Sequence, residues 1–420
     1  MFNTLPDPRK KERCRYSPAE LLWPMLLMFL SRAGSRNKAD ASRNTGGLPA
    51  ALARLAGRGA DTVPDDGEWR VTCSDNGVLF LKRLNPELLE AMQASLVRRL
   101  FERRVFDASR VIGGKFLIVV IDGSVREKCR KGFREGGKTN GGGLYRYVLQ
   151  ASVLLFGHPI PLLQEHVDVV DPEAEKEDCE IKAAKRLLPR LKEAFPRMNF
   201  IILGDALYAC RPVAAECVRH AWHFCFTFKQ GRTPAVWEEA VKLMELNPQD
   251  SLRYRDKPDT DPQSRAGRIR WTKSIDFSEK EDGTLSVTAI EQTESFQGAD
   301  TRYAWISDVP GINAANVLAL VSATGRMRHT IEDQFNTDKN NGIGMEHVFC
   351  AEATTSKNLY ALMQTAFMLW TLFYHGLLKR ICAWAGKWSQ IAIAQLLPQG
   401  LQTLGGSDPG FTVGQLRFVT

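Results

Sequence analysis

A mixed α/β architecture is the fold class the sequence predicts: a mixed sheet flanked by helices, with a helical N-terminal region before it and a β-rich insertion ahead of its last helices. Three observations carry this. "KFLIVVIDGS" (115–124) and "NFIILGD" (199–205) are continuous apolar runs rich in β-branched residues, as in strands buried on both faces. Stretches of helical period follow or precede them, notably "DCEIKAAKRLLPRLKEAF" (178–195). Residues 250–300 turn polar and alternate in "RIRWTKSIDF" and "TLSVTAIEQ", as half-exposed antiparallel strands do.

Taken in order, residues 1–110 are mostly helical, from the apolar spacing of "PAELLWPMLLMFLSRAG" and "NPELLEAMQASLVRRLFERRVF", with loops around a short helix between Asp40 and Gly67. The first buried strand ends at Asp122, and a glycine-rich loop, "GGKTNGGG", follows. "YRYVLQASVLLF", the turn "GHP" and "IPLLQEHVDVV" form a hairpin. The helix over Asp178–Phe195 should be kinked or interrupted at Pro189. After the second buried strand come a helix in "ALYACRPVAAECVRHA", a strand in "WHFCFTFKQG" and a helix over Pro234–Leu246. "TRYAWISDVP" returns to strand, Ile312–Asn340 is largely helical, and Lys357–Trp384 is a long apolar helix. The implied division is a helical region (1–110), a first part of the core (111–235), the β-rich insertion (236–305), a second part of the core (306–385) and a tail (386–420).

Composition narrows the class. With 44% hydrophobic and 25% charged residues over 420 positions, the chain is that of a soluble globular protein with a sizeable core. Its 56 Lys and Arg against 48 acids leave a net charge of +8, which favours a polyanion such as nucleic acid as partner over an ordinary basic surface. The nine cysteines form no CxxC pair and no zinc spacing, so they read as buried thiols in a reducing compartment. "MFNTLPDPRKKERCRY" lacks the apolar core of a secretion signal, and a cytoplasmic location is expected. Leu21–Leu30 is too short to span a bilayer and contains Pro24. Asn358–Leu378 is long enough, but Gln364, Thr365, Thr371 and His375 interrupt it; a buried core helix is expected there, not a membrane segment.

Chemistry is expected at Asp122 and Asp205, because side chains at strand C-termini of an open α/β sheet project into the crevice where ligands bind. One such aspartate is ordinarily a turn former or helix cap. Two, each after a near-uniform apolar run, point to function. Gly123, Gly204 and Ala206 beside them would leave room for a ligand, although glycine next to aspartate is also common turn chemistry. Neighbouring carboxylates repel unless a cation neutralises them, and an oxygen-only donor set suits Mg²⁺ or Mn²⁺. "RHTIEDQFNTDKNNGIG" (328–344) offers the third acid. At about 100° per residue, Arg328, Glu332 and Lys339 fall within about 40° of one another beside Ile331 and Phe335. A solvated Arg328–Glu332 pair is the simple explanation. The apolar neighbours instead place Glu332 at a core, where a buried acid requires partners.

These residues resemble insertion-sequence transposases of the DDE type, whose catalytic domain is RNase H-like. In the branch with a Tyr-Arg-Glu-Lys signature, Arg328, Glu332 and Lys339 match the last three elements in spacing, whereas Gly325 stands at the tyrosine position. Asp122 and Asp205 match the first two acids, and the polar block before Glu332 matches the branch's β-rich insertion. The resemblance covers roughly 115–385, and more weakly the helical N-terminus. It implies that Asp122, Asp205 and Glu332 hold two Mg²⁺ (or Mn²⁺) ions for cut-and-paste cleavage at transposon ends and strand transfer into target DNA. It also implies phosphate contacts by Arg328 and Lys339, a base contact for which Trp305 and Trp271 are candidates, core packing being the more ordinary role of each, and a homodimer that joins two terminal inverted repeats. From their position after Asp122, Lys128, Arg130, Lys131 and Arg134 are expected to touch phosphate, as is Lys229 after its strand. The alternatives are an RNase H-like nuclease that cuts without joining, and an inactive transposase-derived DNA-binding protein.

Overall fold

The computed structural model describes residues 1–420 apart from 11, 13, 59–69, 130–137, 141–142, 168–178, 259–260, 262, 278–284, 383–384 and 405–420. Five helices open the chain: α1 (Pro18–Leu30), α2 (Arg36–Ala41), α3 (Leu48–Leu55), α4 (Ser74–Leu81) and α5 (Pro86–Glu102). α1 starts at a capping box, in which Ser17 accepts from the Glu20 N–H and Glu20 accepts from the Ser17 N–H.

Next come β1 (Leu117–Cys129), β2 (Lys138–Asn140), β3 (Gly143–Leu155), β4 (His158–Val167), α6 (Glu180–Ala194), β5 (Phe200–Gly204), α7 (Arg211–Arg219), β6 (His223–Thr227) and α8 (Pro234–Leu246). β1 pairs antiparallel with β3 and parallel with β5, and β5 pairs parallel with β6. The turn between β3 and β4 has Phe156 and Gly157 at φ 49° and 78°, the two left-handed residues of a tight two-residue hairpin. α6 runs through Pro189 without a break, where an interruption was expected.

β7 (Ser251–Arg255), β8 (Arg265–Asp276), β9 (Ser286–Phe296) and β10 (Ala299–Ser307) are the strands of the polar block. β10 pairs antiparallel with β6, so these strands extend the central sheet in the order β6-β10-β9-β8-β7. At the opposite side β4 is an edge, and side chains close it. Glu90 accepts from the Gln164 N–H at 3.2 Å, Arg190 donates to the Gln164 carbonyl at 3.2 Å, and Gln93 donates to the Pro161 carbonyl at 3.2 Å.

Two apolar layers sandwich the sheet. Leu117, Val119, Ile121, Phe200 and Ile202 face α6 and α7, while Ile118, Val120, Ile201 and Leu203 face the C-terminal helices and α1. Those helices are α9 (Val317–Ala323), α10 (His329–Asn340) and α11 (Ala353–Phe373), the last continued by a π-helical turn over Tyr374–Leu378. α11 is the expected apolar helix, beginning four residues earlier than its sequence pattern suggests, and it is buried on nearly every side. Its polar side chains bond inside the protein: the Asn358 amide NH2 donates to the carbonyls of Leu81 and Leu84, each at 2.8 Å. Among the described residues no helix is long and apolar enough to cross a membrane. All nine cysteines are free thiols, but only Cys217 and Cys225 are buried and Cys179 is exposed, which corrects the expectation of uniformly buried thiols.

Candidate active site

The sheet register sets the two aspartates side by side. The last parallel pair between β1 and β5 is Val120 with Leu203, and Asp122 and Asp205 each lie two residues further on. Alternation along a strand then turns both toward the layer of Val120 and Leu203, the one that holds α10. Asp205 directly follows β5, where one carboxylate oxygen accepts from the Leu207 N–H at 2.8 Å. Asp122 is not at a strand end as the sequence suggested. Its neighbour β3 goes on pairing as far as Cys129 with Leu144, so β1 outruns β5 and Asp122 stands in mid-strand, opposite Gln150.

Burial pushes the Asp122 carboxyl up to about 7; Arg328 and the Gly123 N–H pull it down, while Asp205 and Glu180 add to the rise. The glycines beside the aspartates leave no room for a ligand. A β-carbon on Gly123 would lie 2.5 Å from the Tyr147 ring and 2.6 Å from the Glu180 carboxyl carbon, and one on Gly204 would lie 2.7 Å from the Tyr208 ring. Glu180, the first residue of α6, accepts hydrogen bonds from both phenols, Tyr147 and Tyr208, each at 2.7 Å. No motif announces these three residues, because their partnership spans β3, α6 and the loop after β5.

α10 lies on the aspartate side of the sheet, anchored by Ile331 and Phe335, both in the apolar layer shared with Ile118 and Val120. Arg328, just before it, bridges two acids: Nη2 donates to Glu332 at 2.6 Å and Nη1 lies 3.8 Å from the Asp122 carboxylate. The Glu332 side chain is 50% exposed, so the sequence argument that its face is buried fails for this residue. Ile331 and Phe335 point inward while Glu332 leans to the rim. Lys339 and Lys128 meet at one acid, Glu346, at 3.5 Å and 2.7 Å. Two of the cations expected to contact DNA thus converge from α10 and β1.

Beneath α10 runs a buried polar chain that the sequence did not disclose. Tyr360 donates to Gln150 at 2.6 Å and Gln150 to Ser152 at 2.9 Å; Ser152 donates to Gln334 at 3.2 Å, Gln334 to Gln364 at 2.8 Å, and Gln364 to Asp338 at 3.1 Å. It ties the strand opposite Asp122 to the helix that carries Glu332. Burial pushes the Asp338 carboxyl up to about 7, against the opposing bonds from Gln364 and Gln334 and the charge of Arg32.

The remaining expected contacts divide. Lys229 is exposed just past β6. Arg130, Lys131 and Arg134 lie outside the described residues. Of the two base-contact candidates, Trp305 is 3% exposed and packs into the core, stacked on Tyr303 with ring centroids 6.0 Å apart, and Trp271 is buried as well, so both take the core-packing role. Trp305 also supplies a steric reason for Gly325: a β-carbon there would sit 2.3 Å from the indole Nε1. Beside it, the Arg326 guanidinium lies 4.0 Å above the Tyr303 ring and donates to Glu294 at 3.3 Å, an arginine that spacing alone had not singled out.

Oxygen donors and a carboxyl raised by burial and like charge suit a hard divalent cation at Asp122 and Asp205. Among the described residues no group of three or more His, Cys, Asp or Glu is gathered in a metal-holding arrangement, and Glu332 is instead paired with Arg328.

No family model matches the sequence, and no curated protein matches it. Among solved structures, the chain is similar to a cryo-EM structure of the piggyBac transposase synaptic complex with hairpin DNA. The TM-score is 0.42 at 10% identity, over 96% of this chain and 77% of that one. A likeness this low carries no weight for the activity of this chain.

Proposed function

We propose that this protein is a DDE transposase with an RNase H-like core, which cuts DNA at the ends of its element and joins them to target DNA. The observation that carries the reading is the shared register of Asp122 and Asp205 on parallel strands beneath the helix of Arg328 and Glu332. The strand order β4-β3-β1-β5-β6, an antiparallel three-strand meander whose first strand adjoins two parallel strands, supports that reading of the core.

In this reading Asp122, Asp205 and Glu332 would hold two Mg²⁺ or Mn²⁺ ions, which would supply Lewis-acid activation of the attacking oxygen and neutralise charge at the phosphodiester. Arg328 already balances Asp122 and Glu332. A DNA phosphate offering its own oxygens to the guanidinium fork would compete with Glu332 for Arg328 and free that carboxylate for a metal. Lys339 and Lys128, drawn together at Glu346, offer point charges to the backbone flanking the cut, and Lys229 extends that rim. Strand transfer requires two ends, hence two copies of the chain as a homodimer.

The test is a joining assay with a precut end that carries the inverted repeat flanking the gene. Mg²⁺-dependent insertion of its 3′-hydroxyl into a plasmid is expected. Cleavage of uncut ends without insertion would instead identify a nuclease, and binding without either reaction an inactive DNA-binding descendant.

A further inference from the structure

We propose that Glu180, Tyr147 and Tyr208 form a positioning clamp that sets the spacing of Asp122 and Asp205 from the far face of the sheet. The inference rests on the aspartate pair being the reaction centre. Alternation along the strands puts Gly123 and Gly204 on the face opposite the aspartates, and it is there that the three side chains press. Glu180 and Tyr147 abut Gly123, the residue after Asp122. Tyr208 abuts Gly204, the residue before Asp205, and its own N–H donates to the Asp205 carbonyl at 3.2 Å.

The carboxylate joins the two halves. One Glu180 oxygen accepts from Tyr147 of β3 and the other from Tyr208 of the β5 loop, both at 2.7 Å. Parallel pairing of β1 with β5 stops at Val120–Leu203, so no ladder hydrogen bond fixes their separation at the level of the aspartates. The phenol–carboxylate–phenol bridge takes over where the ladder ends. Burial raises both phenols, so they stay protonated as donors. Any side chain at Gly123 or Gly204 would push the clamp off the backbone.

Two readouts on the full-length protein test this: the Mn²⁺ dissociation constant, from water-proton relaxation, and the Asp122–Asp205 separation in crystal structures. The double variant Tyr147→Phe with Tyr208→Phe keeps volume and loses both bonds. It should bind Mn²⁺ about tenfold more weakly and show a wider separation. Glu180→Gln keeps an acceptor for one phenol and a donor for the other, and should stay within about threefold of the parent, whereas Glu180→Ala should match the double variant. Unchanged affinity and separation in the double variant would overturn the clamp. Glu180→Gln as weak as Glu180→Ala would also overturn it, by showing that Glu180 acts through its charge. If the parent itself bound no Mn²⁺, the functional reading would fall, and the clamp would be judged on the separation alone.

Discussion

Asp122 and Asp205 stand the same two residues beyond Val120 and Leu203, the last parallel pair of β1 and β5. Equal offsets on parallel neighbours bring two carboxylates to one level and one face, an arrangement whose repulsion a bound divalent cation would relieve. If the pair exists for its metal, Asp205→Asn should fold and bind DNA like the parent yet lose its Mn²⁺ site. Calorimetric titration checks this, and undiminished Mn²⁺ affinity would count against the assignment.

The Asp338 carboxyl is fully buried and raised to about 7 from an ordinary 3.8. Because its native value lies above its unfolded one, the folded state holds more protons between those values. Stability therefore falls as pH rises from about 4 to about 7 and is level above that. The contribution is on the order of 2–4 kcal/mol. Asp338→Asn should be more stable than the parent at pH 8 and should flatten the slope in urea denaturation between pH 5 and 7. A parental slope would show that Asp338 is not the group responsible.

Gly325 and Trp305 occupy one space. Gly325→Ala places a carbon within 2.3–2.7 Å of the indole, and overpacking of this kind costs about 1–3 kcal/mol. Pairing it with Trp305→Leu should recover part of that loss, measured as non-additivity in a double-mutant cycle. Strict additivity would mean the two residues do not contact.

Glu346 holds Lys128 and Lys339 together. Glu346→Gln frees both and should tighten DNA binding at low salt, whereas Lys339→Ala should weaken it and lower the salt slope by about one. The log-log dependence of affinity on salt decides. An unchanged slope in Lys339→Ala would remove that lysine from the DNA contacts.

The sequence disclosed those parts of the fold that local chemistry determines. The apolar runs ending in Asp122 and Asp205, the β3–β4 hairpin, whose turn falls at Phe156–Gly157 one residue ahead of the Gly157–Pro159 read from the sequence, and the buried α11 are legible from periodicity and turn residues. Interactions that span elements were not. The length of β1 depends on how far β3 pairs with it, so Asp122 reads as a strand end when it is mid-strand. The faces of Glu332 and Ile331 are one residue apart on a helix, and only the packing of α10 tells which is inward. Glu180 and its two tyrosines have no spacing in common, and no spacing shows that Trp305 fills the space over Gly325.

The most direct measurement of the central claim is metal-dependent cleavage of DNA carrying the element's own ends, parent beside Asp122→Asn. The account predicts cleavage at the end with Mg²⁺ or Mn²⁺, none with chelator, and a loss of at least about a thousandfold in the variant, a magnitude ordinary for removing a group that stabilises the transition state. Cleavage by Asp122→Asn at the parental rate, or cleavage by the parent in the presence of chelator, would contradict it.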